Sequence, residues 1–261
     1  MSSYEEIRPR ELKPAVLELD GISRASVEAH YKLYQGYVNK RNEILGKLGS
    51  ADLGSANQIY SEVRALKVEL SFAVGGIKNH EVYFEHLGGS GGDPKGAIAD
   101  LIKRDFGSAQ AWRDDLKATG MGGRGWAWTA YDWDEGRLFN YIGDAQNTYP
   151  IWNATPLVAL DVYEHAYFLD YQTDRAAYIE AFLRNLDWGI VNGWVDREEV
   201  QGPSLCAGSY LGGRDLWMLH AWVVPGYENR WGDFADTNPV LCPPVMGTPD
   251  IARCPSAPPL G

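Results

Sequence analysis

Asp161 and His165 stand four residues apart in Asp161-Val162-Tyr163-Glu164-His165-Ala166-Tyr167, where an apolar run gives way to a helix-like pattern. A carboxylate and an imidazole at that spacing form a metal-ligand pair. Two more histidines, His30 and His80, lie far upstream, each in helix-like surroundings rich in aromatic residues. Three imidazoles with one hard carboxylate oxygen suit manganese or iron better than a thiolate-preferring zinc site. Taken singly, each residue has a plainer reading. A histidine on an apolar helix face is commonly a hydrogen-bonded core residue, and an aspartate at a strand end commonly caps a helix. The combination carries the expectation, because two front helices and a strand end can bring four side chains together between a helical layer and a sheet, as bundles do with inward-facing ligands.

The other two of the five histidines do not join this set. His86 follows His80 by six residues, which places it about 120° around an α-helix, so the two cannot share a face. His80-Glu81 does not open a zinc-protease HExxH motif either, since Phe84 stands where the second histidine would be. His220, in Met218-Leu219-His220-Ala221-Trp222, is read as structural.

Positioning such a site needs particular elements. Ser23 can cap a helix over 22–47, in which Val27, His30, Tyr31, Tyr34, Tyr37 and Val38 recur at three- and four-residue spacing. A second helix is expected over 55–87, carrying Ile59, Val63, Leu66 and Leu70, then Gly75-Gly76, then His80. Each glycine of that pair would weaken the helix by about 1 kcal/mol, which calls for a close-packing reason. Gly88 to Pro94 is a loop by its breakers, and without a following Gly-Lys-Ser/Thr it is not a phosphate loop. Short helices fit 95–105 and 108–118. From Gly125 the period changes to two: Trp126, Trp128 and Ala130, the Asp132–Gly136 turn, and Leu138–Ile142 form a hairpin. Residues 156–160 make a third strand ending at Asp161, residues 165–185 return to helical spacing, and Asn185 to Trp188 opens a last short helix.

A chain of 261 residues, 45% hydrophobic and 12% aromatic, supports one sizeable core with room for a second small unit. No apolar run of about eighteen residues occurs, so no membrane span is expected. Without the basic and apolar regions of a signal peptide at Met1 to Ile7, cytoplasm is the expected location. A net charge of −11 argues against a nucleic-acid partner. It also repels small anions, so an anionic substrate needs a local positive field, for which Lys32 and Arg175 are candidates although solvated surface charge is the plainer reading of each. Cys206, Cys242 and Cys254 show no CxxC spacing and are expected to be free structural thiols, ahead of the alternative of one disulfide with one thiol left over. They lie in a Pro-, Gly- and Trp-rich stretch expected to pack on the main domain or on a partner surface.

The segment Asp161 to Tyr171, followed by Tyr178 to Phe182 and Asn185 to Trp188, resembles the C-terminal signature of the iron/manganese superoxide dismutases. Glu28-Ala29-His30-Tyr31 with Gly36-Tyr37-Val38 resembles that family's first-ligand helix. Asn79-His80 with Tyr83-Phe84 resembles its second, and Gly125-Trp126-Ala127-Trp128 its glycine-tryptophan strand. The matches run in order over about residues 15–195.

The resemblance implies an α+β fold. An N-terminal helical hairpin domain (1–92) and a C-terminal α+β domain (93–196) with a three-stranded antiparallel sheet would enclose a metal between them, and a C-terminal extension (197–261) would follow. It implies His30, His80, Asp161 and His165 as ligands, with a solvent molecule as the fifth. Tyr37, Gln146 and Trp126 would be the catalytic neighbours, with Trp128 helping Trp126 to wall the site. Glu164 and Tyr167 would be contacts to a partner subunit in a homodimer or homotetramer. The implied activity converts superoxide to oxygen and hydrogen peroxide. Manganese is favoured over iron, because Gly76 stands four residues before His80 while Gln146 follows the hairpin.

Three positions depart from the family pattern. His30 to Tyr37 spans seven residues where eight is usual, Leu33 stands at the gateway histidine, and Tyr163 replaces a tryptophan. Seven helical steps return to within about 20° of the start, so Tyr37 can still face His30. Tyr167 would need a substitute partner for the missing histidine, and Tyr34 is a candidate. The departures also motivate an alternative, a non-enzymatic metal-binding or interaction scaffold on the same fold.

Overall fold

A computed structural model describes residues 4–148 and 153–197. Apart from Arg197, the 197–261 extension with its cysteines, its tryptophans and His220 lies outside the described residues, as do the expectations that fall on it.

Ser23, in an extended conformation, accepts the Ser26 amide on its hydroxyl and starts α1, Arg24–Leu48. α2, Glu62–Glu85, begins seven residues later than its periodicity predicts. Ser61 caps it by accepting the Arg64 amide, while the Asn57 carboxamide oxygen takes the Ile59 amide and turns the chain just before. Ile59 is 86% exposed as a result. Local side-chain bonds to the backbone outweigh the apolar spacing there. α1 and α2 pack on one another as the N-terminal helical hairpin.

α3, Ala97–Phe106, and α4, Ala109–Gly122, capped by Ser108, lead into the sheet. Its strands are β1, Trp126–Asp132, β2, Arg137–Gly143, and β3, Ala154–Asp161. The order is β2-β1-β3, and both pairings are antiparallel. Asp132 shapes the β1–β2 turn by accepting the amides of Asp134 and Glu135. Every residue of central β1 is buried. Helices α3 and α4 pack on β2 and α2 packs on β3. The register sets Trp126 opposite Asp161, so the strand wall and the carboxylate face the same end of the helical pair.

The single helix expected over 165–185 is three pieces. Glu164–Ala166 is a 3-10 turn, α5 covers Phe168–Tyr171, and α6 covers Arg175–Arg184. Gln172 takes a left-handed φ of 48°, and the Asp174 carboxylate accepts the Ala177 amide to start α6 afresh. α7, Trp188–Arg197, follows Asp187, whose carboxylate accepts the Gly189 amide.

One hydrophobic core runs from Val16 through both helices and the sheet to Val195. A smaller cluster of Ile44, Leu45, Leu48, Leu66 and Ala73 closes the far end of the helical pair. Among the described residues no helix is long and apolar enough to cross a membrane.

Candidate metal centre

His30 comes from α1, His80 from α2, Asp161 from the end of β3 and His165 from the 3-10 turn after it. The ligand-type atoms of all four lie within 4.8 Å of one another. Asp161 Oδ2 is the hub: His30 Nε2 is 3.0 Å away, His165 Nε2 3.1 Å and His80 Nε2 3.7 Å. Asp161 Oδ1 is already committed to the Tyr163 amide at 2.9 Å, which turns the other oxygen toward the imidazoles. His30, His80 and Asp161 are buried, while His165 keeps 25% of its side chain exposed.

The electrostatics are those of a site built for a cation. Burial by itself would raise the Asp161 carboxyl, but the His165 and His30 imidazoles override it and hold the group well below the usual carboxylate range. Burial lowers His30 despite the raising influence of Asp161. His80 is pushed down to about 3, by burial first and by His30 second. His80 Nδ1 donates to the Gly76 carbonyl at 2.6 Å, which fixes the tautomer and leaves Nε2 as a bare lone pair. That buried nitrogen has no hydrogen-bond partner. An orphaned imidazole lone pair beside a low-pKa carboxylate and two more imidazoles fits a borderline metal such as iron or manganese.

Gly76 serves the same corner twice, since its missing side chain also admits the Tyr37 ring. A Cβ there would lie 2.7 Å from Tyr37 Cγ. The close-packing reason asked of the glycine pair is therefore found at Gly76. Tyr37 lies with its ring centroid 5.4 Å from that of His80 even with the shortened spacing from His30. Burial and then Asp161 raise its hydroxyl pKa, partly offset by the Gln146 side chain. Trp126 meets His80 edge-on at 5.3 Å and donates from Nε1 to Gln146 Oε1 at 3.0 Å. Gln146 is buried, and its Nε2 has no partner. Trp128 stacks behind Trp126 at 6.4 Å.

The departing residues have definite places too. Tyr163 stacks on His165, centroids 5.2 Å apart and planes 15° from parallel, covering it as a flat wall. Leu33 is exposed and lines a surface hollow with Ala29, Glu164, His165, Phe168 and Leu169. Tyr34 is enclosed: its hydroxyl accepts the Arg10 amide and donates to Glu81 within the chain. Tyr167 is buried, stacked on Tyr178 at 5.1 Å, and its hydroxyl accepts from Arg175 Nε at 3.2 Å. Arg175 also donates to the Gly123 carbonyl at 2.7 Å, acting as a clamp on the α4–β1 connection. Lys32 is exposed on α1. Sequence reasoning missed His86, whose imidazole turns away from His80 to the β3 backbone. Its only signal was the helical angle that excluded it from the ligand face.

Comparison with known proteins agrees with this geometry. A family model described as iron/manganese superoxide dismutases, alpha-hairpin domain, matches residues 13–88, and the C-terminal domain of the same family matches residues 94–193. An iron superoxide dismutase of Aquifex aeolicus (strain VF5) is 44% identical over 193 residues, 72% of this chain and 90% of its own. An iron superoxide dismutase of Cupriavidus metallidurans is 36% identical over 187 residues, 70% of this chain and 92% of its own. Manganese superoxide dismutase 1 of Haloferax volcanii is 34% identical over 194 residues, 72% of this chain and 92% of its own. Both halves are matched in order along one chain, around a donor set suited to these metals, and the chain belongs to the iron/manganese superoxide dismutases.

Proposed function

We propose that the superoxide dismutase activity of this chain runs at His30, His80, Asp161 and His165, which hold one iron or manganese ion. The observation that carries the assignment is the buried His80 Nε2, without a partner, 3.7 Å from the Asp161 oxygen on which the other two imidazoles converge. When bound, the ion supplies one-electron exchange between its +3 and +2 states, so that one superoxide leaves as oxygen and a second, with two protons, as hydrogen peroxide.

The protein's own work is to orient, to seal and to hold protons. Tyr37, with a raised pKa, keeps its hydroxyl proton at neutral pH and is the group to donate it. Gln146 is held by its oxygen on Trp126, which leaves its buried amide protons as fixed donors. Trp126, Trp128 and Tyr163 supply the apolar walls. Three departures motivate the scaffold alternative, and against the first of them, the altered spacing, Tyr37 still reaches the His80 ring.

Two finer points belong to the same proposal. The relatives bear iron and manganese names alike; the presence of Gly76 before His80, with Gln146 entering from the loop after β2, favours manganese. Glu164 is exposed beside Leu33, Phe168 and Leu169, which supports a homodimer, or a tetramer built from it, closing over this face.

Metal analysis and superoxide consumption by the purified protein, reloaded separately with each metal, test the whole reading. His165→Ala is expected to lose metal and to lose more activity than the about 10–100-fold that outer-shell changes cost. A metal-loaded His165→Ala protein as active as the unsubstituted one would sink the site.

A further inference from the structure

We infer that His86 is a positioning residue of the metal centre, the joint that fixes the ligand-bearing strand β3 to the ligand-bearing helix α2. β3 lies at the edge of the sheet, so amides on its outer side have no strand partner. One of these is the Ala159 amide, two residues before Asp161. It donates to His86 Nε2 at 2.9 Å. Both residues are fully buried, so water cannot replace the acceptor if the imidazole is removed.

The same residue closes α2 and ties it to a third segment. Its amide donates to the Val82 carbonyl at 3.2 Å, and its carbonyl accepts the Asp187 amide at 2.8 Å. The next residue, Leu87, forms a bridge to Leu186. His80 lies six residues back on α2 and Asp161 two residues on along β3. One imidazole thus bonds the helix that carries His80 to the strand that carries Asp161, in addition to their side-chain packing. Phe182 and Trp194 pack on the ring at 5.6 and 6.0 Å and hold its plane.

The chemistry of the ring supports an acceptor's role. Accepting through Nε2 requires a neutral imidazole with its proton on Nδ1. Burial first and the Lys13 ammonium second keep the imidazole neutral, and among the described residues the one other titratable ring packed on it is Tyr83. The Tyr83 backbone also interacts with the ring and raises its pKa without overcoming burial. A residue present only to fill space would be apolar and would leave the buried Ala159 amide without an acceptor.

The inference rests on the four-residue centre and is tested apart from it. Full-length metal-loaded protein is mixed with excess chelator, and metal release is timed for the unsubstituted chain, His86→Leu and His86→Gln. Amide exchange at Ala159 is followed in parallel. Leucine removes the acceptor, and glutamine restores one. Release is expected at least about tenfold faster in His86→Leu, the lower end of what loss of an outer-shell partner costs in affinity. The Ala159 amide is expected to exchange faster with it, and His86→Gln is expected to lie nearer the unsubstituted rates than the leucine variant does. Release less than about tenfold faster in His86→Leu, or no slower in His86→Gln than in His86→Leu, overturns the proposal. Should His86→Leu not fold, exchange in the unsubstituted protein decides: an Ala159 amide as slow as those of β1 supports the joint, and one as fast as a surface amide overturns it. Retention of metal by His165→Ala would instead count against the four-residue centre, leaving the two failures distinguishable.

Discussion

Gln146 is the residue whose role depends most on a single neighbour. Its carboxamide oxygen is fixed by Trp126 Nε1 at 3.0 Å, and its amide nitrogen is buried without a partner, so the side chain is oriented before any substrate arrives. Gln146→Ala is expected to lower kcat by about 10–100-fold while metal content stays full, because the residue donates to the site but is not a ligand. Trp126→Phe should act in the same direction more weakly, by releasing the carboxamide to rotate. Steady-state kinetics with metal analysis on the same samples checks both, and Gln146→Ala with normal kcat would remove it from the proton path. At this scale the four ligand-type residues were legible, because scarce histidines in aromatic settings and an aspartate four before a histidine leave few other reasons to coincide. The surroundings of Tyr34 were not legible. Its helical position allowed several surroundings, and only packing shows that Glu81 and the Arg10 amide consume its hydroxyl.

At the scale of elements, the end of α2 is where packing overrides propensity. Alanine is favoured over glycine by about 1 kcal/mol inside a helix, yet a Cβ at Gly76 would press on the Tyr37 ring at 2.7 Å. Gly76→Ala is therefore expected to destabilise the protein by about 1–3 kcal/mol, the usual range for overpacking, and to slow turnover by moving Tyr37. A urea titration showing a net gain in stability would contradict the close contact. His86, at the same helix end, gives a pH signature. Its pKa is pushed down to about 3 in the fold from the ordinary 6.5, by burial first and then by Lys13. Below the unfolded value the unfolded chain binds the extra proton first, so the stability is present above pH 6.5 and drains as pH falls toward 3. His86→Gln should flatten the fall in melting temperature between pH 6.5 and 4, and an unchanged slope would show that other groups govern acid unfolding. The sequence yielded both front helices, the hairpin and the third strand. It failed at the start of α2 and between Gln172 and Asp174, where one side-chain bond to a backbone amide decides an element's boundary and no periodic signal records it.

For the whole molecule, the open question is what covers the face beside His165. Leu33, Phe168 and Leu169 are 41%, 48% and 64% exposed there, and with Ala29 and Glu164 they line one hollow. Apolar side chains gathered around a charged residue and a quarter-exposed ligand-type histidine are a poor surface to leave in water. A second copy of the chain closing this face would bury them and bring Glu164 against the partner's site. Leu169→Glu places a charge at the most exposed of the three without touching the metal ligands. It is expected to shift the sedimenting species from dimer toward monomer at micromolar concentration and, by opening the His165 side to solvent, to speed metal loss to a chelator. Sedimentation velocity of the variant and the unsubstituted protein at matched concentrations reads the first effect, and metal release reads the second. An unchanged mass would count against this face as a subunit contact, and faster metal loss at unchanged mass would mean that Leu169 shields the site within its own chain.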